Sequence, residues 1–261
     1  MNCSVSDSKS LLISINVNDG FLQDDFCFEV AMRLLPTTVQ NEILKKKRFM
    51  RPTALGSQLL LLYGCSRILG CSWRELKFSK SKFGKPFLVH HDNVAFSMSN
   101  GGGNVIIYIT KGEEVQGGVG IDIASTTDCI NWEFEYLNDL KTVFSQSEVE
   151  CLRSTSFDVR DELFTYYWSL KEAYIKYIGE GLNADLALVN LGSLKPLMKS
   201  EHRTFTKFIN GKSVQFRSHW YDDCHIISIC YKLKEPALDV KYVSLESISL
   251  SLIIDKLSNF G

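Results

Sequence analysis

Alternating apolar residues predict several strands, and helical spacing of apolar residues predicts long helices between them. The strands are expected at residues 10–17, 93–100 and 104–110, and on both sides of Asn210-Gly211, a dipeptide typical of hairpin turns. One buried helix is expected from about Gly56 to Leu69, after a basic turn at Lys45–Arg51, and a loop is expected at residues 78–89. The pattern therefore predicts a fold that mixes helices and strands.

One predicted strand carries a carboxylate in an unusual place. In GVGIDIAS, the three branched apolar residues share one face, while Asp122 lies between Gly120 and Ala124 on the other. We expect no bulky neighbour to cover that carboxylate. Asp122 is therefore a candidate functional residue, and the alternative is an aspartate that ends a strand in a turn.

A second candidate lies on the helix WSLKEAYIKYIGEGL, which we expect to end at Gly179 or Gly181. Glu172 and Lys176 are four residues apart and share one face of this helix. The opposite face is predicted to be buried through Leu163, Tyr167, Leu170, Tyr174, Tyr177 and Ile178. From spacing alone, a solvated surface pair worth about 0.3–0.5 kcal/mol is the ordinary alternative.

Together these residues would suit one kind of chemistry. Mg²⁺ keeps several waters and binds one or two protein carboxylates, with substrate phosphates as further ligands. Asp122 and Glu172 could supply those carboxylates, and Lys176 could offset charge that develops on a leaving phosphate.

Composition excludes several classes of protein. The 261 residues are 45% hydrophobic and 23% charged, with a formal net charge of −1, so no global field favours nucleic acid or an anionic membrane. Anion binding must come from a local basic cluster. No stretch approaches the roughly 20 apolar residues of a membrane span.

The cysteines and the start of the sequence bear on location. Eight cysteines form no CxxC motif, and the five histidines are not spaced with them as zinc ligands. The first residues lack the basic and apolar regions of a secretory signal. We expect a cytoplasmic protein with reduced cysteines.

Three stretches in order resemble a known family. GVGIDIAS, followed some fifty residues later by WSLKEAYIKYIGEGL, resembles the two signature motifs of the 4′-phosphopantetheinyl transferases. The preceding FGKPFLVHHDNVAFSMSN resembles the long, single-chain class of that family. The resemblance covers roughly residues 45–185.

The resemblance implies an α+β fold of two similar halves in a pseudo-twofold arrangement, with the active site in the cleft between them. The halves would be residues 1–115 and 116–240, followed by a peripheral segment, 241–261. A single chain with both halves is expected to be a monomer.

It also implies the reaction of a holo-acyl-carrier-protein synthase. The enzyme would transfer the phosphopantetheine group of coenzyme A to a serine of an apo carrier protein and release adenosine 3′,5′-bisphosphate. Asp122 and Glu172 would hold Mg²⁺, and Glu172 or a metal-bound water would be the base. Lys176 would bind the pyrophosphate, with Lys171 as a weaker candidate.

Coenzyme A itself would be bound by further residues that match the family pattern. Arg48 and Lys85 match basic positions beside the motifs, Arg51 is a further guanidinium, and Ser99 could contact a phosphate. Asn100 replaces a histidine that many relatives use at the 3′-phosphate. Lys80 and Lys82 are basic neighbours for which surface solvation is equally expected.

Two departures from the family pattern favour one branch. Ala124 replaces a second acidic residue found in many relatives, and Asn100 replaces the histidine. This combination resembles the eukaryotic branch that activates aminoadipate reductase in lysine biosynthesis. Alternatives are the same chemistry on carrier proteins of fatty-acid, polyketide or peptide synthetases, a catalytically silent carrier-binding module, or an unrelated Mg²⁺ phosphohydrolase.

Overall fold

The computed structural model describes residues 10–112, 118–129, 142–181, 184–232 and 243–259. The chain divides into two compact units, of which the first contains residues 1–79, 88–113 and 237–261 and the second contains 80–87 and 114–236. Each unit has a four-stranded sheet and a long helix. The predicted α+β fold is confirmed.

The first unit is built on a sheet whose order is β10-β1-β5-β4. Strand β1 pairs antiparallel with β5, β5 pairs antiparallel with β4, and β10 adds to β1 in parallel. These strands are β1 (Ser10–Asn16), β4 (Val94–Gly101), β5 (Asn104–Lys111) and β10 (Leu245–Ser247). The helices are α1 (Asp25–Met32), α2 (Thr37–Leu44), α3 (Arg51–Leu69) and α6 (Leu250–Asn259).

Helix α3 packs closely on β1 and β5 because it presents small residues to them. A Cβ atom added at Gly64 would lie 2.6 Å from Ile109 Cδ1, and one added at Gly56 would lie 2.7 Å from Val17 Cγ1. The helix begins at Arg51 instead of near Gly56. Pro52 lies in the first turn, where its missing N–H leaves no helical hydrogen bond unmade.

Residues 245–259 belong to the core of the first unit, although the sequence predicted a peripheral segment there. Strand β10 extends the sheet, and α6 buries apolar residues at helical spacing, including Leu250, Ile253 and Leu257. Trp73 Nε1 donates a 2.7 Å hydrogen bond to the carbonyl of Leu257. The apolar spacing makes this segment part of the core.

The second unit has a sheet of order β6-β9-β8-β7, antiparallel throughout. The strands are β6 (Val119–Ser125), β7 (His202–Ile209), β8 (Lys212–Trp220) and β9 (His225–Tyr231), and the helices are α4 (Gln146–Ser154) and α5 (Phe157–Ile178). The predicted hairpin turn is confirmed, since Asn210 and Gly211 join β7 to β8 with φ values of 48° and 76°.

Helix α5 lies against β6 and β9, and its burial extends beyond the predicted stripe. Five of the six predicted stripe residues are buried, and Ile178 is half-buried. Ser169, Lys171 and Ala173 outside the stripe are also buried, because the sheet covers one side of the helix and apolar side chains cover the other.

Residues 78–89 contain two short strands where the sequence predicted a loop. These are β2 (Phe78–Lys80) and β3 (Pro86–Leu88), which form a two-stranded sheet. Among the described helices, none combines the length and apolar character needed to span a membrane.

Candidate active site

Asp122 lies at the centre of β6, on the face that α5 covers. The close approach of strand and helix depends on Gly120, since a Cβ atom there would lie 1.8 Å from the carbonyl oxygen of Ala173 and 2.4 Å from the amide nitrogen of Tyr177. The expectation of an uncovered carboxylate is therefore wrong. The small residues allow the helix to approach the carboxylate, which is buried.

Lys176 of α5 forms an ion pair with Asp122. Its Nζ lies 2.7 Å from Asp122 Oδ1, and the two side chains are 28% and 7% exposed. Spacing along the helix predicted Glu172 as the neighbour of this ammonium group. The structure adds a carboxylate from a strand, which no helical spacing could indicate.

Glu172 completes the cluster. The pKa of its half-buried carboxyl group is raised first by burial and then by the nearby negative charge of Asp122, while Lys176 opposes the shift. Two carboxylates and one ammonium group thus converge between β6 and α5. A cation bound to both carboxylates would relieve their repulsion.

The cluster fits Mg²⁺ better than a metal enclosed by protein ligands. Across the described ranges, no group of three or more His, Cys, Asp or Glu side chains is arranged to hold a metal ion. Two carboxylates suit Mg²⁺, which retains waters and binds substrate phosphates. Ala124, on the same face as Asp122, supplies no third ligand, and it is buried among apolar side chains.

Lys171 lies elsewhere than predicted. Its side chain is completely buried, with Nζ 2.9 Å from Glu148 Oε2. It also donates hydrogen bonds to the carbonyl oxygens of Leu186 and Val189. Burial lowers the pKa of the ammonium group, and Glu148 opposes that shift. The predicted contact of Lys171 with a phosphate is therefore wrong, because these groups bind its ammonium group in the protein interior.

Glu148 is a structural residue that the sequence reasoning missed. Its carboxylate also accepts hydrogen bonds from the backbone N–H groups of Ser145, at 2.7 Å, and Leu191, at 2.8 Å. It therefore joins the start of α4 to α5 and to a loop. The available signal was Ser145-x-x-Glu148, a capping box that marks a helix start.

The ammonium group of Lys85 also forms hydrogen bonds within the protein. Its Nζ donates to the carbonyl oxygens of Val119, Lys176 and Tyr177, at 2.9, 2.5 and 3.1 Å. Burial lowers the pKa of this ammonium group to about 8. The predicted contact of this side chain with coenzyme A stays a prediction.

Of the remaining predicted residues, Lys80 and Lys82 belong to the second unit and the others to the first, and all their contacts with coenzyme A stay predictions. Arg51 donates to the carbonyl oxygens of Leu44 and Lys46, and Arg48 lies 3.6 Å from Asp25 with both side chains exposed. On β4, Ser99 is buried and Asn100 is exposed.

A buried row of serines lies behind the cluster. Ser228 of β9 pairs with Asp122 in the sheet register, and its Oγ lies 2.6 Å from Ser169 Oγ and 2.8 Å from Ser218 Oγ. The sequence did not predict this network, because each serine stands alone in an apolar segment. The row satisfies polar groups where α5 meets the sheet.

Comparison with known proteins places the cluster in a family context. The model of the 4′-phosphopantetheinyl transferase superfamily matches residues 118–230, a range that contains Asp122, Glu172 and Lys176. A protein of Eremothecium gossypii named L-aminoadipate-semialdehyde dehydrogenase-phosphopantetheinyl transferase is 40% identical over 228 residues, covering 87% of this chain and 80% of the relative.

Two further proteins with that same name are similar to the chain. The Saccharomyces cerevisiae protein is 39% identical over 246 residues, covering 92% of this chain and 88% of the relative. The Homo sapiens protein is 26% identical over 192 residues, covering 69% of this chain and 60% of the relative.

Proposed function

The chain belongs to the 4′-phosphopantetheinyl transferase superfamily, and we propose that it transfers the 4′-phosphopantetheine group of coenzyme A to a serine of an apo carrier domain. Adenosine 3′,5′-bisphosphate is the second product. The observation that carries the proposal is the convergence of Asp122, Lys176 and Glu172 between β6 and α5, inside the range that the family model matches.

The proposed role of the two carboxylates is to hold Mg²⁺. Asp122 lies on a strand and Glu172 on a helix, and both supply the oxygen ligands that Mg²⁺ prefers. When bound, the ion would supply Lewis-acid stabilisation to the pyrophosphate of coenzyme A.

Glu172 and Lys176 each have a role in the bond changes of the transfer. The serine oxygen bonds to the phosphorus of the phosphopantetheine group, and the bond from that phosphorus to the nucleotide phosphate breaks. Glu172 accepts the serine proton. Lys176 lies beside Asp122, where its ammonium group can neutralise charge gained by the departing phosphate.

The proposed acceptor is the carrier domain of aminoadipate reductase, in lysine biosynthesis. The names and similarity of the three fungal relatives support this choice, at 33–40% identity over most of the chain. Carrier proteins of fatty-acid, polyketide or peptide synthetases are the alternative acceptors. We further propose a cytoplasmic monomer, and the six cysteines whose side chains the structure describes are free, which is compatible with that location.

The test uses purified enzyme, coenzyme A, Mg²⁺ and two apo carrier domains, one from aminoadipate reductase and one from a fatty-acid synthase. We expect mass spectrometry to show one phosphopantetheine group on the conserved-serine peptide of the aminoadipate reductase carrier. Binding of the carrier without modification would instead support a silent module. Phosphate release from nucleotides without a carrier would support a phosphohydrolase.

A further inference from the structure

We propose that Lys85 is a positioning residue that holds the start of β6 against the end of α5, and so keeps Asp122 and Lys176 in register for the transfer. The inference rests on the proposed function and adds a residue whose side chain contacts no substrate. It reverses the sequence prediction, in which Lys85 contacts coenzyme A directly.

All three N–H donors of Lys85 have a backbone acceptor. A lysine ammonium group has three donors and no acceptor, and Lys85 places three carbonyl oxygens within 3.1 Å of Nζ. Two of these oxygens, on Lys176 and Tyr177, belong to the last turn of α5, where carbonyl groups lack helical partners. A cation there also complements the negative end of the helix dipole.

Two glycines make room for the side chain of Lys85. A Cβ atom at Gly118 would lie 3.2 Å from Lys85 Nζ, and one at Gly179 would lie 3.0 Å from Lys85 Cδ. Both glycines have positive φ values, 97° and 75°, so other residues there would also be strained. Two glycines thus leave a narrow slot that an unbranched lysine side chain fills.

The contacts of Lys85 lead directly to the candidate active site. Lys85 binds the backbone carbonyl of Lys176, and the side chain of Lys176 pairs with Asp122. Lys85 also binds Val119, three residues before Asp122 on β6. The same ammonium group therefore holds both elements of the ion pair by their backbones.

The test compares Lys85→Met and Lys85→Arg with wild type, with Lys212→Met as a control at an exposed lysine of β8. We expect Lys85→Met to lower kcat at least tenfold while the Kd of coenzyme A changes less than threefold. Lys85→Arg should not restore kcat, because a planar guanidinium group cannot serve three converging carbonyl oxygens in this slot. A direct phosphate contact predicts the reverse, a raised Kd that arginine restores, and would overturn the proposal.

A measurement independent of activity separates this inference from the proposed function. In Lys85→Met, amide hydrogens of residues 177–179 should exchange at least tenfold faster, while those of α3 stay unchanged. Unchanged exchange would overturn the proposal. If wild type transfers nothing, the proposed function fails, and the exchange result still decides whether Lys85 holds the end of α5. Should Lys85→Met fail to fold, Lys85→Gln keeps two N–H donors and replaces it.

Discussion

The two units share three antiparallel strands packed with one long helix, β1-β5-β4 with α3 and β6-β9-β8 with α5, and they differ in what lies between strand and helix. In each, the first strand pairs antiparallel with the last strand of a hairpin, β1 with β5 and β6 with β9. Both first strands have seven residues, with Ile13 at the centre of β1 and Asp122 at the centre of β6. Ile13 packs in the apolar core with α3, whereas Asp122 pairs with Lys176 of α5.

The first unit shows that a long helix can pack on a strand without a charged group between them. Among described residues, the buried polar side chains of the first unit are uncharged, and they are Ser14, Ser66, Ser97, Ser99, Asn104 and Thr110. The second unit buries Asp122, Glu148, Lys171 and His219. Burying charge costs free energy unless the charge is paired, and both buried carboxylates, Asp122 and Glu148, have a lysine partner.

The largest expected effect comes from placing a carboxylate at the centre of β1. Ile13→Asp buries an unpaired charge, and we expect a loss of more than about 4 kcal/mol in the free energy of unfolding of the first unit. Ile13→Val is the control and should cost about 0.5–1.5 kcal/mol. Urea unfolding followed by circular dichroism measures both. A wild-type midpoint for Ile13→Asp would show that the two strand centres are equivalent.

The next effect concerns the buried ion pair of the second unit. Lys171→Met leaves the Glu148 carboxylate without its cation, and we expect a loss of about 3–5 kcal/mol in the free energy of unfolding. The double variant Lys171→Met/Glu148→Gln should recover part of this loss, since it removes the unpaired charge. Chemical unfolding of both variants tests the coupling. Equal midpoints for Lys171→Met and wild type would contradict it.

Removing one carboxylate of the candidate site should affect activity instead of stability. We expect Asp122→Asn and Glu172→Gln each to lower transfer at least about 100-fold, comparable to the loss of one transition-state contact. Their thermal midpoints should stay near that of wild type. Wild-type turnover in either variant would remove that residue from the proposed site.

Lys176→Ala should have a smaller effect, concentrated in turnover. Because charge on the leaving phosphate grows in the transition state, we expect kcat to fall by about tenfold or more, with little change in coenzyme A affinity. Steady-state kinetics combined with equilibrium binding separates the two quantities. A change in affinity alone would mean that Lys176 only binds the ground state.

The smallest of the expected effects on stability is a pH dependence of the second unit. Burial, with the nearby His202, lowers the pKa of His219 to about 4 from an ordinary value of 6.5. Between these values the unfolded chain binds a proton that the folded chain does not, so stability falls as the pH falls. From pH 7 to 5 the loss should be about 2 kcal/mol.

Unfolding at both pH values tests this effect, with His219→Gln as the variant that removes it. If His219→Gln and wild type lose equal stability on acidification, other groups carry the effect. Exchange of amide hydrogens should localise the acid-induced opening to β8, and equal opening of β1 would contradict the proposed difference between the units.

Much of the fold could be predicted because it depends on neighbours in sequence. Alternation in β1, β4 and β5 and the Asn210-Gly211 turn are local features, and the structure has them at the predicted places. The start of α3 and the position of α6 were missed. The start of α3 had a local signal in Pro52, a residue favoured in the first turn, whereas the position of α6 depends on how that segment packs on a distant one.

The sequence by itself indicated Asp122, Glu172 and Lys176 as candidates, because strand and helix periods specify which residues share a face and the motifs resemble those of a known family. Only the tertiary structure decided which partner each lysine has. Lys85 binds backbone carbonyl groups, Lys171 binds Glu148 inside the core, and Lys176 reaches Asp122. The physical reason is that a lysine side chain is long and flexible, so its charge settles where folding brings acceptors together and excludes water.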